Sequence, residues 1–259
     1  MEFSYYPGCT LKAKGKDLEI YALKSAEKLG VKLNEIEDWQ CCGGCYSTAK
    51  DEIATKLASV RALKAAAARG EDLLTLCSAC HNVIKRVNFD MKTDKTFNSR
   101  VNTYLNDGEY NCETTVIHYL EMLRDKVGFD KIKQAVVKPL TGRKIGAYYG
   151  CLLLRPSSVM AFDNPENPTI MEDFIKAIGG TPIKYQMRNE CCGAYCTLED
   201  KAIPQKRAEK ITEDALDKGA EMLITACPLC LYNLKVNGKN RLPVVYFTEL
   251  LAEALGVKE

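Results

Sequence analysis

The sequence has no excess of either charge: 36 Lys and Arg stand against 34 Asp and Glu, a formal net charge of +2. A balance so near zero makes no broad electrostatic case for nucleic acid or an anionic membrane surface as partner. No apolar run approaches the roughly 18 residues that a membrane-spanning helix needs. The opening, Met1-Glu2-Phe3-Ser4-Tyr5-Tyr6, lacks the basic start and apolar stretch of a secretory signal. No G-x-G-x-x-G or Walker-type loop occurs, so no flavin, nicotinamide or nucleotide site is expected. The C-x2-C-x2-C spacing of ferredoxin-type cubane sites is missing too. From these absences a cytoplasmic protein is expected, soluble or held to a membrane only through a partner.

What is present is cysteine, thirteen in 259 residues. Ten of the thirteen form one pattern written twice: Cys9, Cys41-Cys42, Cys77 and Cys80, then Cys151, Cys191-Cys192, Cys227 and Cys230. In each copy a lone Cys is followed by Cys-Cys-Gly and then by Cys-x-x-Cys, with the same 34 residues between the pair and the last motif. The surrounding text repeats as well, which argues for duplication of a whole fold unit. Tyr5-Tyr6-Pro7-Gly8-Cys9 matches Tyr148-Tyr149-Gly150-Cys151, and Leu73 to Cys80 matches Leu223 to Cys230. Val116 to Leu123 reads like Val244 to Leu251, with Glu121 and Glu249 in the same place. The first copy carries extra residues between Cys80 and His118, and its polar stretch Thr93 to Gly108 reads as an inserted surface loop or hairpin.

Each half alternates short strands with helices, the pattern of an α/β fold with a small parallel or mixed sheet flanked by helices. Lys144 to Tyr149 and Glu221 to Ala226 are strand-like, and each leads into a cysteine of the pattern. Asp17 to Leu29, Asp51 to Arg69 and Pro204 to Lys218 have helical character, and each stops at a glycine. Pro139 to Gly142 is the best linker, which divides the chain into two similar units, 1–138 and 139–259. On this reading the cysteines lie at strand C-termini and helix N-termini, where open α/β sheets place their sites and where thiol pKa is lowered.

Disulfides are rare in a reducing compartment, and a chain of this length does not need them for stability, so the cysteines point to metal or redox chemistry. Zinc is satisfied by four ligands in a closed tetrahedral site, and five cysteines with an adjacent pair overshoot that requirement. A polynuclear iron–sulfur centre offers several irons and tolerates a thiolate that bridges two of them. With both copies matching over essentially the whole length, the chain resembles the B-type subunit of heterodisulfide reductase, a family built from two cysteine-rich CCG domains. That resemblance implies a noncubane [4Fe-4S] cluster in each half. Cys9, Cys41, Cys42, Cys77 and Cys80 would hold the first and Cys151, Cys191, Cys192, Cys227 and Cys230 the second. It further implies that a disulfide of the coenzyme M–coenzyme B type, or another thiol pair, is reduced between the two. The partners implied are a small C-type subunit with cubane [4Fe-4S] clusters and a flavin-containing A-type subunit.

Outside the ten, Lys12 and Arg155 follow the first cysteine of each copy closely enough to meet an anionic group on a substrate. His81, directly after Cys80, is a candidate proton or hydrogen-bond donor. Glu121 and Glu249 suit a capping or inter-half structural role. Cys45 and Cys196 are either extra ligands and resolving thiols or small buried residues, and the second reading is preferred. Cys112 has no counterpart. Three functions remain: a disulfide-reducing enzyme subunit, an electron-transfer subunit of the kind found in lactate, glycolate or glycerol-3-phosphate oxidising complexes, and a zinc-bound interaction scaffold, which the fifth cysteine disfavours. The family relation does not fix the substrate.

Overall fold

The computed structural model describes residues 1–44, 53–106, 108–239 and 241–257. Two four-stranded sheets, all strands parallel, form its centre. The first holds β1 (Glu2–Tyr6), β2 (Lys32–Glu35), β3 (Leu73–Thr75) and β4 (Val116–His118) in the order β2-β1-β3-β4. The second holds β5 (Lys144–Tyr148), β6 (Thr181–Ile183), β7 (Met222–Thr225) and β8 (Val244–Tyr246) in the order β6-β5-β7-β8. Tyr5 stands opposite Leu74 in the first sheet, and Ala147 opposite Ile224 in the second. The central strands are buried on both faces, as their continuous apolar runs require for a parallel sheet covered by helices. In each sheet the chain leaves the inner strand to one side and returns on the other. This places a topological switch point, and a crevice at the strand C-termini, between β1 and β3 and between β5 and β7.

Helices α1 (Cys9–Ala13), α2 (Lys16–Lys28), α3 (Ala54–Ala68) and α4 (Ser78–Thr93) cover the first sheet. The inserted stretch is helical, α5 (Lys95–Thr103), and not the loop or hairpin its polarity suggests. The Asp94 side chain caps it by accepting from Phe97 N at 2.9 Å, and Val101 anchors it in the core. After β4 come α6 (Tyr119–Glu121), a π-turn at Met122–Val127 and α7 (Phe129–Ala135). The second half repeats the scheme with α8 (Ser157–Met160), α9 (Ile170–Ala177), α10 (Ala202–Asp217), α11 (Pro228–Asn237) and α12 (Phe247–Leu255). The helices over 17–29 and 204–218 stand where the apolar spacing predicts them, as α2 and α10.

The closing helices are exchanged between the halves. α12, which follows the second sheet, packs on α2 of the first half, and α7, which follows the first sheet, packs on α9 of the second. Thr248 Oγ1 donates to Leu18 O at 3.1 Å and the Lys28 ammonium donates to Leu255 O. Lys131 Nζ donates to Leu29 O at 3.2 Å. α12 can do this because Phe247, Leu250, Leu251, Ala254 and Leu255 form one apolar face. As a result the larger hydrophobic core runs through both halves and includes Leu18, Ala22, Tyr119, Phe174 and Phe247. Phe247 lies 5.7 Å from the ring of Tyr119 and 5.9 Å from that of Phe174, both edge-on.

Candidate metal centres

Each half builds its cysteine site from three chain turns at the crevice. The first carries Cys9, at the start of α1 directly after β1, and Cys151, after β5. Gly8 holds φ 76°, and a Cβ there would lie 2.9 Å from Cys80 Sγ, so only glycine lets the backbone pass the sulfur. The third turn carries the Cys-x-x-Cys motif. Cys77 stands at the residue before α4 and Cys80 lies in its first turn, while Cys227 stands before α11 with Pro228 as its first helical residue. Both helices direct their unpaired N–H groups and positive dipole end at these thiols.

The Cys-Cys-Gly turns are tied down the same way in both halves. Tyr6 on β1 donates its hydroxyl to Gln40 O at 2.5 Å, and Tyr148 on β5 donates to Glu190 O at 2.7 Å, in each case the carbonyl just before the cysteine pair. Asn233 Nδ2 adds a bond to Cys192 O at 2.8 Å. Gly193 stands in the left-handed region at φ 77°, which turns its N–H onto Cys191 Sγ at 3.3 Å. A hydrogen bond from Cys151, together with that of Gly193, holds the Cys191 thiol down at about 6.

All five cysteines of the second half, Cys151, Cys191, Cys192, Cys227 and Cys230, line one cavity, with Tyr149, Leu152, Tyr195, Leu229 and, from the first half, Ser78. It leaves about 10 Å³ for the centre of a water molecule, room for one water. A shallow groove of about 620 Å³ beside Met1, Leu23 and Leu33 is far larger and carries no cysteine. In the first half Cys9 and Cys41 stand 3.5 Å apart and Cys42 and Cys80 3.4 Å apart. Among the described residues no three or more His, Cys, Asp or Glu side chains are spaced to hold a single metal ion. The sulfurs instead form a run. Cys192 lies 3.4 Å from Cys230 and Cys42 3.4 Å from Cys80, and between these pairs stand Cys227 and Cys77, near enough across the midline for each to shift the other's thiol. Cys227, and after it Cys80, holds the Cys77 thiol well below the ordinary range.

The other candidates have protein partners of their own. Lys12 pairs with Glu35 at 2.6 Å and Glu19 at 2.9 Å. Arg155 donates to Asn189 O at 2.9 Å and meets Glu166 at 3.2 Å. His81 is fully buried, its Nδ1 3.0 Å from Thr75 Oγ1 and its Nε2 3.4 Å from Glu121 Oε2. None of the three lines the second-site cavity. Cys196 sits in a short 3-10 turn, Ala194–Leu198, outside that cavity, and Cys112 lies half-buried at φ 66° beside Asn98. Cys45 lies outside the described residues. The carboxylates of Glu121 and Glu249 accept from His118 N at 2.7 Å and Tyr246 N at 2.6 Å, and so cap α6 and α12. Two features are not evident in the cysteine pattern. One is the buried set in which Glu172 accepts from the Tyr149 hydroxyl and lies 3.3 Å from Arg188 Nε. The other is a web of bonds at the midline, onto Leu76 O and Ala226 O. The pairing of His118 with Tyr246 in the repeat is the signal that leads to it.

No helix of the described residues is long and apolar enough to cross a membrane. The sequence pattern of the CCG family, "Cysteine-rich domain", matches residues 3–85 and 145–235. The 8-methylmenaquinol:fumarate reductase membrane anchor subunit of Wolinella succinogenes is 31% identical, over 99% of this chain and 93% of its own length. The B-type subunit of the ferredoxin/F(420)H(2)-dependent CoB-CoM heterodisulfide reductase of Methanosarcina acetivorans is 25% identical, over 98% of this chain and 89% of its own. A hypothetical protein of Helicobacter pylori shares the fold, with a TM-score of 0.76 at 14% identity, covering 100% of this chain and 49% of that one. With two matched domains and full-length likeness to such relatives, the chain belongs to the cysteine-rich CCG domain family, together with the B-type subunits of heterodisulfide reductase.

Proposed function

We propose that this chain is an iron–sulfur electron-transfer subunit of a multi-subunit oxidoreductase, with one noncubane [4Fe-4S] cluster in each half. Cys9, Cys41, Cys42, Cys77 and Cys80 hold the first; Cys151, Cys191, Cys192, Cys227 and Cys230 hold the second. The observation that supports this most is that the two donor sets adjoin: the pairs Cys192–Cys230 and Cys42–Cys80, each 3.4 Å apart, flank Cys227 and Cys77, whose turns are tied together at the midline. The donors fit such a group: five soft thiols surround one cavity in the second half, one more than a closed zinc site takes. When bound, a cluster supplies a one-electron store spread over several irons. The chain's own residues supply the rest. Helix N-termini and the Gly193 N–H favour thiolate, and burial of Cys42, Cys77, Cys80, Cys192, Cys227 and Cys230 excludes water.

The sequence contains no flavin, nicotinamide or ferredoxin-type motif, so electrons arrive from and leave to other polypeptides. The Wolinella relative, a subunit of an 8-methylmenaquinol:fumarate reductase, supports a complex that links a quinol to fumarate; a flavin-containing subunit and a small subunit with cubane clusters are the immediate partners of this proposal. We place the chain in the cytoplasm, at a membrane only through such a partner. A second reading is reduction of a small disulfide between the two clusters, which the heterodisulfide reductase relatives favour.

The test is iron, acid-labile sulfide and zinc per chain on anaerobically purified protein, followed by acceptor assays on the intact complex. About eight iron and eight sulfide support the two-cluster reading; zinc without iron overturns it. Oxidation of reduced viologen by a CoM–CoB-type disulfide, and not by fumarate, selects the second reading.

A further inference from the structure

The internal repeat changes character at one place on its own midline. β4 and β8 end on equivalent residues, His118 and Tyr246, yet the two side chains do different things. His118 serves its own half: Nδ1 accepts from Leu120 N at 3.2 Å, which leaves Nε2 to donate to Leu76 O at 3.0 Å. Tyr246 reaches further. Its hydroxyl lies 2.8 Å from Ala226 O, in its own half, and 2.8 Å from Leu76 O, in the other. Those two carbonyls belong to the residues directly before Cys227 and Cys77. Ser78 adds two more bonds across the same line, from N to Ala226 O at 3.1 Å and from Oγ to Ala226 O at 2.6 Å.

Tyr246 is fully buried, so water does not compete for either carbonyl, and hydrogen bonds in such an interior are strong and directional. A single O–H proton shared by two carbonyls rewards only geometries that keep both within reach. The peptide groups so held lead directly into Cys77 and Cys227.

We propose that Tyr246 is the positioning residue that couples the two cysteine sites. Its hydroxyl holds the Leu76–Cys77 and Ala226–Cys227 turns together, so that metal bound by one set of thiols orders the other. The inference rests on the proposed function, in which both sets bind metal.

The experiment is anaerobic titration of the metal-free full chain with Cd²⁺ alone as probe, followed by thiolate–metal charge-transfer absorbance. The wild type takes up the ion cooperatively, with a Hill coefficient rising above 1 toward roughly 2, the number of coupled sites. Tyr246→Phe removes one oxygen and keeps the ring. It takes up the same total amount, with the Hill coefficient reduced to about 1. Tyr246→His places the residue of the first half here, does not span the midline, and behaves like the Phe variant. A wild type without cooperativity overturns the proposal, as does cooperativity that survives in Tyr246→Phe. Should circular dichroism show the Phe variant unfolded, Ser78→Ala, which removes a neighbouring cross-midline bond, must lower the Hill coefficient in its place; an unchanged value overturns the proposal. Iron analysis of the purified wild type separates the two claims. Cooperative Cd²⁺ uptake by a protein that carries no iron keeps the coupling and discards the iron–sulfur reading.

Discussion

Ser78 Oγ donates to Ala226 O at 2.6 Å, and this bond ties the turn of Cys77 to that of Cys227 at the midline of the molecule. The two cysteine sets therefore share a border. A substitution at the end of the sulfur run and one at its middle have different expected effects. Cys192→Ala removes a donor of the second set only, and is expected to cost about half of the iron, one cluster of two, while the spectrum of the first site is retained. Cys77→Ala is expected to change the electron paramagnetic resonance of both sites. A second-site spectrum identical to wild type in Cys77→Ala counts against the shared border.

Phe247 belongs to the second half by sequence and to the core of both halves by packing, between Tyr119 and Phe174. Truncation to Ala leaves a large cavity where α12 crosses to α2, and such deletions cost about 3–5 kcal/mol. Because the closing helices are exchanged, the loss is expected in one cooperative transition that involves both sheets. Denaturant unfolding followed by far-ultraviolet circular dichroism checks this. Two resolved transitions, with only one shifted in Phe247→Ala, would show that the halves unfold separately.

The ten cysteines and the two α/β units are legible in the sequence because cysteines placed at strand ends and helix starts keep fixed spacings, and duplication displays those spacings twice. Glu121 and Glu249 stand out for the same reason, since a cap repeats with its helix. The exchange of α7 and α12 is not legible. Their apolar faces specify that they are buried, and only the three-dimensional path decides against which half. The stretch from Thr93 to Gly108 misleads because it is polar, whereas Asp94 and Val101 suffice to cap and anchor a helix there. The ion pairs of Lys12 with Glu35 and of Arg155 with Glu166 are not legible either, because proximity in sequence to Cys9 and Cys151 carries no information about partners distant in the chain.

Burial pushes the His118 imidazole down to about 3, and burial lowers His81 as well. The native state keeps both neutral, whereas the unfolded chain takes up protons below about 6.5. Stability is therefore expected to fall as pH drops below that value, by about 1.4 kcal/mol per unit for His118. His118→Gln keeps an N–H donor for Leu76 O and removes the titration. Between pH 6.5 and 5 its stability should fall by about 2 kcal/mol less than that of the wild type, as read from urea unfolding at each pH. Parallel acid slopes for the two proteins would show that His118 is not the source.

Glu249 accepts the Tyr246 N–H at 2.6 Å and so closes the first turn of α12, while Glu121 does the same for His118 at 2.7 Å. The two caps differ in their surroundings. Glu249 is half-buried and serves one backbone group, so Glu249→Ala is expected to cost about 1 kcal/mol, the usual worth of a helix cap. Glu121 is buried and also faces Lys85 and His81, each at 3.4 Å. Its removal leaves a backbone donor unsatisfied and the Lys85 ammonium without its carboxylate, and the loss should exceed that of Glu249→Ala by about 1–3 kcal/mol. Thermal unfolding of the two variants side by side ranks them, and an equal loss would mean that Glu121 contributes only as a cap.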